Sequence, residues 1–160
     1  MSKTKGELLP VVFLKGRKVD LRPLDESDLP LLLRWANDSE VREFFIRHRP
    51  VTLAAEKKWL EKKLLDESSD VNLGITLAEN HKLIGSMSLH RVDLVHGTAW
   101  VGIMIGRKDC WSNGYGFEAT MLLLDHAFNQ LNLRKVCWGA LGSNERSIRC
   151  AQKCGFREEG

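Results

Sequence analysis

The sequence predicts one domain of mixed α/β class. The chain of 160 residues carries 43% hydrophobic and 28% charged residues with a net charge of +3, a composition typical of a soluble globular domain. Apolar residues recur at every second position in some segments and at every third or fourth in others, which indicates strands as well as helices. Because no repeat and no Pro/Gly/Ser-rich linker interrupts the chain, we expect a single domain over residues 1–160.

The N-terminal part of the chain predicts one strand followed by two or three helices. Residues 19–23 alternate apolar and polar side chains and form the strand, and the acidic run 25–28 begins a leucine-rich helix. A short helix is expected around residues 41–45. Thr52 is typical of an N-cap for a helix running to about Glu67. The inner face of that helix is expected to carry Leu53, Leu60 and Leu64.

The remainder of the chain predicts three strands of an antiparallel meander, then a helix, a strand and a last helix. The alternating segments of the meander are 71–77, 83–89 and 99–105, with a turn at Asn80-His81 between the first two. The apolar period then lengthens over residues 117–131, shortens again over 136–140, and is followed by a helix over 144–153 with Asn144 as its N-cap.

Several classes of protein are excluded by composition and pattern. No apolar run is long enough to span a membrane and no secretory signal is evident, so we expect a cytoplasmic protein without membrane contact. The positive residues are scattered, which argues against direct binding of nucleic acid. Among the four cysteines, only Cys150 and Cys154 share a helical spacing, and no nearby histidine completes a metal site. We therefore expect no bound metal.

The most informative segment is the glycine-containing stretch Trp111 to Ala119, which lies between a predicted strand and a predicted helix. Glycines allow the backbone to turn its N–H groups toward a ligand, and the first turn of a helix offers free donors and the positive end of the macrodipole. Such a segment is suited to phosphate oxygens. The alternative is a glycine-rich turn with no ligand, which these nine residues alone do not exclude.

Two common phosphate motifs fit this segment poorly. A P-loop requires Lys followed by Ser or Thr after the second glycine, and neither is present. Gly114, Gly116 and Ala119 match a relaxed dinucleotide fingerprint, but that motif follows the first strand of its fold and needs an acidic residue at the end of the next strand. Here the next strand ends in Gly139-Ala140-Leu141-Gly142, so a nicotinamide enzyme is disfavoured.

The chain as a whole resembles the GNAT superfamily of N-acetyltransferases, and within it the branch of the ribosomal-protein N-terminal acetyltransferases. The matching segments run in order along nearly the whole sequence. They are Leu21-Arg22-Pro23-Leu24 with Asp28-Leu29, Gly102 to Gly106, Trp111 to Ala119, Leu131 to Val136, Asn144 to Ile148, and Lys153 to Phe156. The resemblance implies a mostly antiparallel central sheet that splays between the family's fourth and fifth strands, with helices on both faces.

The resemblance also implies acetyl-CoA as co-substrate and a set of residues that bind it. Its pantetheine arm would add to the backbone of one strand, its diphosphate would lie on the glycine loop, and Asn144 would hold the arm where the strands part. An amine would attack the thioester directly. The implied binding residues are Ile103, Met104, Ile105, Trp111, Ser112, Asn113, Gly114, Tyr115, Gly116, Phe117 and Asn144.

This sequence departs from the family pattern at three functional positions. Trp111 stands where many relatives have a charged or amide side chain, so backbone amides would have to bind the phosphates. Ala151 stands where many have a catalytic tyrosine, and Ser147 is the replacement general acid that we favour. Trp100 stands where many have a glutamate, which leaves His90 as our candidate base, with Asp93 and His96 nearby in sequence.

The acceptor is expected to be an amine, either on a small molecule or at a protein N-terminus, in a monomer or homodimer. An N-terminal amine, with a pKa near 7.7–8.0, loses its proton more readily than a lysine amine. A basic cluster of Arg42, Arg47, His48 and Arg49 is either a solvated face or a recognition site for an acidic acceptor.

Two alternatives to direct transfer remain open, and one part of the family pattern is missing. The chain could be a CoA-binding regulatory protein without turnover, or it could form a covalent acetyl-cysteine intermediate at Cys110, which has no base adjacent in sequence. The family's two C-terminal strands are missing after Phe156, so we expect a C-terminally short domain.

Overall fold

The computed structural model describes residues 10–45 and 49–160, which form one six-stranded sheet covered by helices. The strands are β1 (Leu14–Lys15), β2 (Val19–Pro23), β3 (Val71–Leu77), β4 (Leu83–Asp93), β5 (Thr98–Ile105) and β6 (Lys135–Trp138). The α-helices are α1 (Leu29–Asn37), α2 (Leu53–Leu64), α3 (Tyr115–Asp125) and α4 (Glu145–Lys153), and α3 continues as a π-helical turn over His126–Gln130. The predicted mixed α/β class is confirmed.

The sheet has the strand order β1-β2-β3-β4-β5-β6, antiparallel throughout except for its last pair. β5 and β6 run parallel, and their pairing covers only Thr98–Val101 against Lys135–Trp138. Beyond this point β5 continues from Gly102 to Ile105 beside β4, whereas β6 has ended. The predicted splay is therefore present. It lies between β5 and β6, which correspond to the family's fourth and fifth strands because the short strand β1 adds one to the numbering.

Helices cover both faces of this sheet, as the family resemblance implied. On one face, Ala119, Leu123 and Ala127 of the α3 segment are fully buried against β-strand side chains such as Leu89 and Val101. On the other face, Leu32 and Trp35 of α1 pack with Leu60 of α2. Burial of apolar area on the two faces supplies the main free energy of folding.

The start of α3 is fixed to the sheet by a carboxylate. Glu118 Oε2 accepts hydrogen bonds from the backbone N–H groups of Lys18 and Val19, each at 2.7 Å. Because these two residues belong to the β2 end of the sheet, the bonds hold the first turn of α3 in a set place relative to the strands.

Four sequence-based predictions of local structure were wrong. Residues 41–45 form turns and no helix, because Asp38 Oδ1 accepts from the N–H groups of Glu40 and Val41 and so competes with helical bonding. α2 ends at Leu64 instead of Glu67, and only its central turn is covered, so Leu53 and Leu64 are 58% and 36% exposed. β6 ends at Trp138, two residues early, and β4 extends to Asp93.

Candidate functional site

A cavity of about 330 Å³ lies where β5 continues without β6. Its walls come from the end of β5, the glycine loop before α3, the end of β6, the exposed side of α4 and the turns after α1. The cavity is lined by Ile103, Met104, Ile105, Cys110, Trp111, Ser112, Gly114, Tyr115, Gly116, Phe117, Trp138, Asn144, Arg146, Ser147, Arg149, Cys150 and Lys153. Val41, Phe44 and Phe45 close it from the side of α1.

Main-chain groups of β5 point into the opening between the strands. The N–H of Gly106 donates to Ile84 of β4 at 2.8 Å, and hydrogen-bonding direction alternates along an antiparallel strand. The N–H and C=O groups of Ile103 and Ile105 therefore face away from β4, toward the place that β6 has left, whereas those of Met104 face β4. The indole N–H of Trp111 donates to the Ile105 carbonyl at 2.7 Å, which occupies one of these groups.

The glycine loop combines two left-handed residues with the free amide groups of a helix start. Ser112 and Gly114 have φ values of 59° and 79°, a backbone conformation found in turns that present N–H groups to anions. The first α3 hydrogen bond runs from the Glu118 N–H to the Gly114 carbonyl at 3.0 Å. The amides of Tyr115, Gly116 and Phe117 precede it and have no partner within the helix. The cradle suits a diphosphate.

The absence of a side chain at Gly116 leaves the cavity open above the glycine loop. A Cβ on Gly116 would stand 3.7 Å from Ile103 Cδ1 and 3.9 Å from Cys150 Sγ, inside the cavity. With the amides below and the open strand edge beside them, the residues present fit the diphosphate and the pantetheine arm of coenzyme A.

Asn144 and Ser147 stand together at the start of α4. The Asn144 Oδ1 atom caps the helix by accepting from the Ser147 N–H at 3.2 Å, which leaves its amide NH₂ group as a donor to a ligand. The Ser147 hydroxyl oxygen accepts from the Trp138 indole N–H at 3.0 Å. Since that oxygen already accepts a bond, the hydroxyl proton can point to a different acceptor.

Two cations of α4 lie over aromatic rings of the loop. The Arg146 guanidinium stands 4.0 Å from the centroid of the Trp111 ring, and Lys153 Nζ stands 4.5 Å from that of Phe117. No short sequence motif singles out these two residues. Their spacing of seven positions on a helix capped at Asn144 is the signal that could have found them, because residues seven apart share one helix face.

The structure brings most of the predicted site residues together. Every predicted cofactor residue except Asn113 lines the cavity, and so does Ser147. The Asn113 side chain instead donates to the Asp109 carbonyl at 3.0 Å and braces the loop. Ala151 lies on the buried face of α4, 8% exposed, and its methyl group cannot take part in proton transfer.

His90 lies outside the cavity lining, on β4 directly opposite Trp100 of β5. Its Nδ1 is 3.4 Å from Ser88 Oγ, and a Cβ on Gly102 would stand 3.5 Å from its ring. Partial burial, followed by the charge of Arg91, lowers the pKa of His90 below its usual value of 6.5. The ring is therefore neutral at pH 7 and able to accept a proton.

Asp93 and His96, which are close to His90 in sequence, are bound to each other. Asp93 and His96 form an exposed pair, with 2.7 Å between Oδ2 and Nδ1, in the hairpin that joins β4 and β5. That hairpin precedes Thr98, at the opposite end of β5 from Ile105. Of the basic cluster, Arg42 and Arg49 are exposed, and Arg47 and His48 lie outside the described residues.

The four cysteines are all free thiols. Cys110 is buried, and this burial raises the pKa of its thiol, which argues against a nucleophilic role. Cys150 lines the cavity, and a hydrogen bond from Cys154 together with the charge of Lys153 lowers its pKa. Within residues 10–45 and 49–160, no three His, Cys, Asp or Glu side chains meet as a metal site. Across the same residues, no helix has the length and apolarity needed to cross a bilayer.

Comparison with known proteins gives one consistent family. The model of the acetyltransferase (GNAT) domain matches residues 18–157. The chain is 30% identical to the probable N-acetyltransferase YjcK of Bacillus subtilis, over 92% of this chain and 84% of that protein. It is 26% identical to the spermidine N(1)-acetyltransferase of Vibrio cholerae, over 89% and 81%. The structure of a putative acetyltransferase from T. thermophilus superposes with a TM-score of 0.76 at 34% identity, over 96% and 79%.

Proposed function

Since the chain belongs to the GNAT family of acetyltransferases, which use acetyl-CoA as co-substrate, we propose that it transfers the acetyl group directly to a primary amine. The transfer takes place in a ternary complex, with no acetylated protein intermediate. Burial and the raised pKa of its thiol argue against an acetyl-cysteine at Cys110, because a covalent route needs an activated nucleophile.

The observation that carries the proposal is the joining of two features in one cavity. The strand edge at Ile103 and Ile105 offers hydrogen-bonding groups to an extended arm, and the loop amides ahead of Phe117 offer a cradle for phosphates. Coenzyme A has both parts in one molecule. In this proposal Asn144 donates its amide NH₂ to a carbonyl of the arm, and this orients the thioester at the opening between the strands.

Ser147 is proposed as the general acid. When the amine nitrogen attacks the thioester carbonyl carbon, the new C–N bond forms and the C–S bond breaks, so the leaving thiolate needs a proton. The Ser147 O–H supplies it. The Trp138 indole, which donates to the same oxygen at 3.0 Å, stabilises the negative charge that develops there. Solvent then returns the proton to Ser147.

His90 is proposed as the base that takes the proton lost by the amine, directly or through one water. Its lowered pKa keeps the imidazole neutral at pH 7, and its ring lies against β5 at Gly102, beside Ile103 of the cavity wall. An amine of low pKa would depend on this base less than an alkyl amine would.

The acceptor is proposed to be a small-molecule amine or a protein N-terminus. The first is supported by the relative named as a spermidine acetyltransferase. The second includes the N-termini of ribosomal proteins. It is supported by the absence of a carboxylate at position 100, where the chain has Trp100, because an N-terminal amine of low pKa needs little help from a base to lose its proton.

The experiment is release of free thiol from acetyl-CoA in the presence of diamines, polyamines, aminoglycosides and short peptides with free N-termini. We expect release with at least one class, and a fall in kcat of about 10²-fold or more in Ser147→Ala with little change in acceptor KM. Ser143→Ala, a serine outside the main cavity lining, is the matched control. Tight CoA binding without thiol release for any acceptor would contradict the proposal.

A further inference from the structure

The glycine loop has no charged side chain of its own at the position where the family pattern places one. Trp111 occupies that position, and it uses its indole N–H to bind the Ile105 carbonyl. The diphosphate and the 3′-phosphate of coenzyme A carry several negative charges, and backbone amides provide only partial ones. A source of full positive charge is therefore needed elsewhere on the cavity wall.

We infer that Arg146 and Lys153 of α4 form a phosphate clamp that faces the loop amides and supplies this charge. The inference rests on the proposed function and adds two residues to the binding site for the co-substrate. Both side chains line the cavity. Each is held over an aromatic ring at one end of the loop, Arg146 over Trp111 and Lys153 over Phe117.

The spacing of the two cations matches the extent of the ligand's charged part. Positions 146 and 153 lie on the same side of α4, separated by about 10 Å along the helix axis. A diphosphate bound to the amides between Ser112 and Phe117 would lie between them. One cation would then stand near the pantetheine side of the diphosphate and the other near the nucleotide side.

Within residues 10–45 and 49–160, neither Arg146 nor Lys153 forms an ion pair with a carboxylate. Glu145 binds Arg149 at 2.8 Å and Glu40 binds Lys108 at 3.0 Å, whereas Glu43 lines a smaller neighbouring cavity together with Arg146. An aromatic ring orients a cation without neutralising it. Arg146 and Lys153 thus present two positive charges to the cavity.

The test compares acetyl-CoA with acetyl-pantetheine, which has the same thioester arm and no phosphate. Arg146→Met and Lys153→Met keep an apolar stem over the rings and remove the charge. We expect each to raise the Kd of acetyl-CoA about fivefold and the double variant about 20-fold or more, as lost charge-assisted contacts of partly exposed groups. Binding of acetyl-pantetheine should not change, and Arg146→Lys should retain most of the affinity.

The control variant is Arg157→Ala, which removes one positive charge outside the cavity lining and should leave both Kd values unchanged. Equal acetyl-CoA affinity in the wild type and the double variant would overturn the clamp while leaving the proposed function intact. An equal loss of acetyl-pantetheine binding would also overturn it, because it would indicate a packing role. A wild type that binds acetyl-CoA normally yet acetylates no amine would instead contradict the proposed function.

Discussion

Placing one negative charge on the glycine loop should weaken acetyl-CoA binding by an amount that Coulomb's law predicts. Gly114 is the site to change, because a Cβ there meets only Lys18 Nζ, at 3.8 Å, and the surrounding space is open. Its φ of 79° strains most residues, but Asn and Asp tolerate that region. Gly114→Asp and Gly114→Asn therefore have nearly the same shape and backbone cost, and differ by one charge.

The expected difference follows from the repulsion between the new carboxylate and two negative charges of the ligand. At about 6 Å and an effective dielectric constant of about 40, the carboxylate repels each negative charge of a diphosphate by about 1.4 kcal/mol, or about 3 kcal/mol for two. The attraction between the new carboxylate and Lys18 is present with and without the ligand, so it cancels from the binding free energy. The cost of about 3 kcal/mol corresponds to roughly a 100-fold higher Kd for Gly114→Asp than for Gly114→Asn at low ionic strength.

The assay is calorimetric titration of both variants with acetyl-CoA at low and high ionic strength. The ratio of the two Kd values should shrink as salt screens the repulsion, and thermal unfolding should show the same stability for both. Equal Kd values at low ionic strength would refute the assignment of the diphosphate to this loop, whatever the stability of the variants.

Three further predictions concern other parts of the site. The pH profile of kcat/KM should fall on the acidic side only below about 6.5, because the lowered pKa of His90 keeps it neutral above that value, and His90→Gln should abolish that limb. Iodoacetamide should label Cys150, and acetyl-CoA should slow this reaction but not the labelling of Cys137, which lies outside the cavity lining. Glu118→Ala should lower the free energy of unfolding by about 2–3 kcal/mol in urea titrations, because two N–H groups lose their acceptor, whereas Glu118→Gln should cost less.

Local periodicity predicted most of the elements because their burial is regular. The alternation in 71–77 and 99–105 reports one covered face each, and the structure has a strand at both places. The segment around Val41 and Phe44 has an apolar pattern but no helix, since the Asp38 side chain takes the amides that would start one. Periodicity shows which residues are apolar, but it does not show which side chains compete with the helix for backbone hydrogen bonds.

The site also has a part that local sequence predicts and a part that it does not. The loop amides and Asn144 follow from short sequence signals, namely glycines before a helix and a capping residue, and the structure has both on one cavity. The Trp138 contact with Ser147 and the stacking of Arg146 on Trp111 join segments that are distant in sequence. Such contacts depend on how α4 packs against β6 and the loop, which no local pattern contains.

The bond from the Trp111 indole to the Ile105 carbonyl has a consequence for how far a ligand can slide. A bare strand edge lets an added chain pair in any of several registers, each shifted by two residues. Here the Ile105 carbonyl, the last acceptor on the edge, already accepts one bond from the protein itself, and the indole covers that end of the edge. If the co-substrate pairs with this edge as proposed, the indole favours the register in which its amides meet Ile103, and with it one depth for the reacting end.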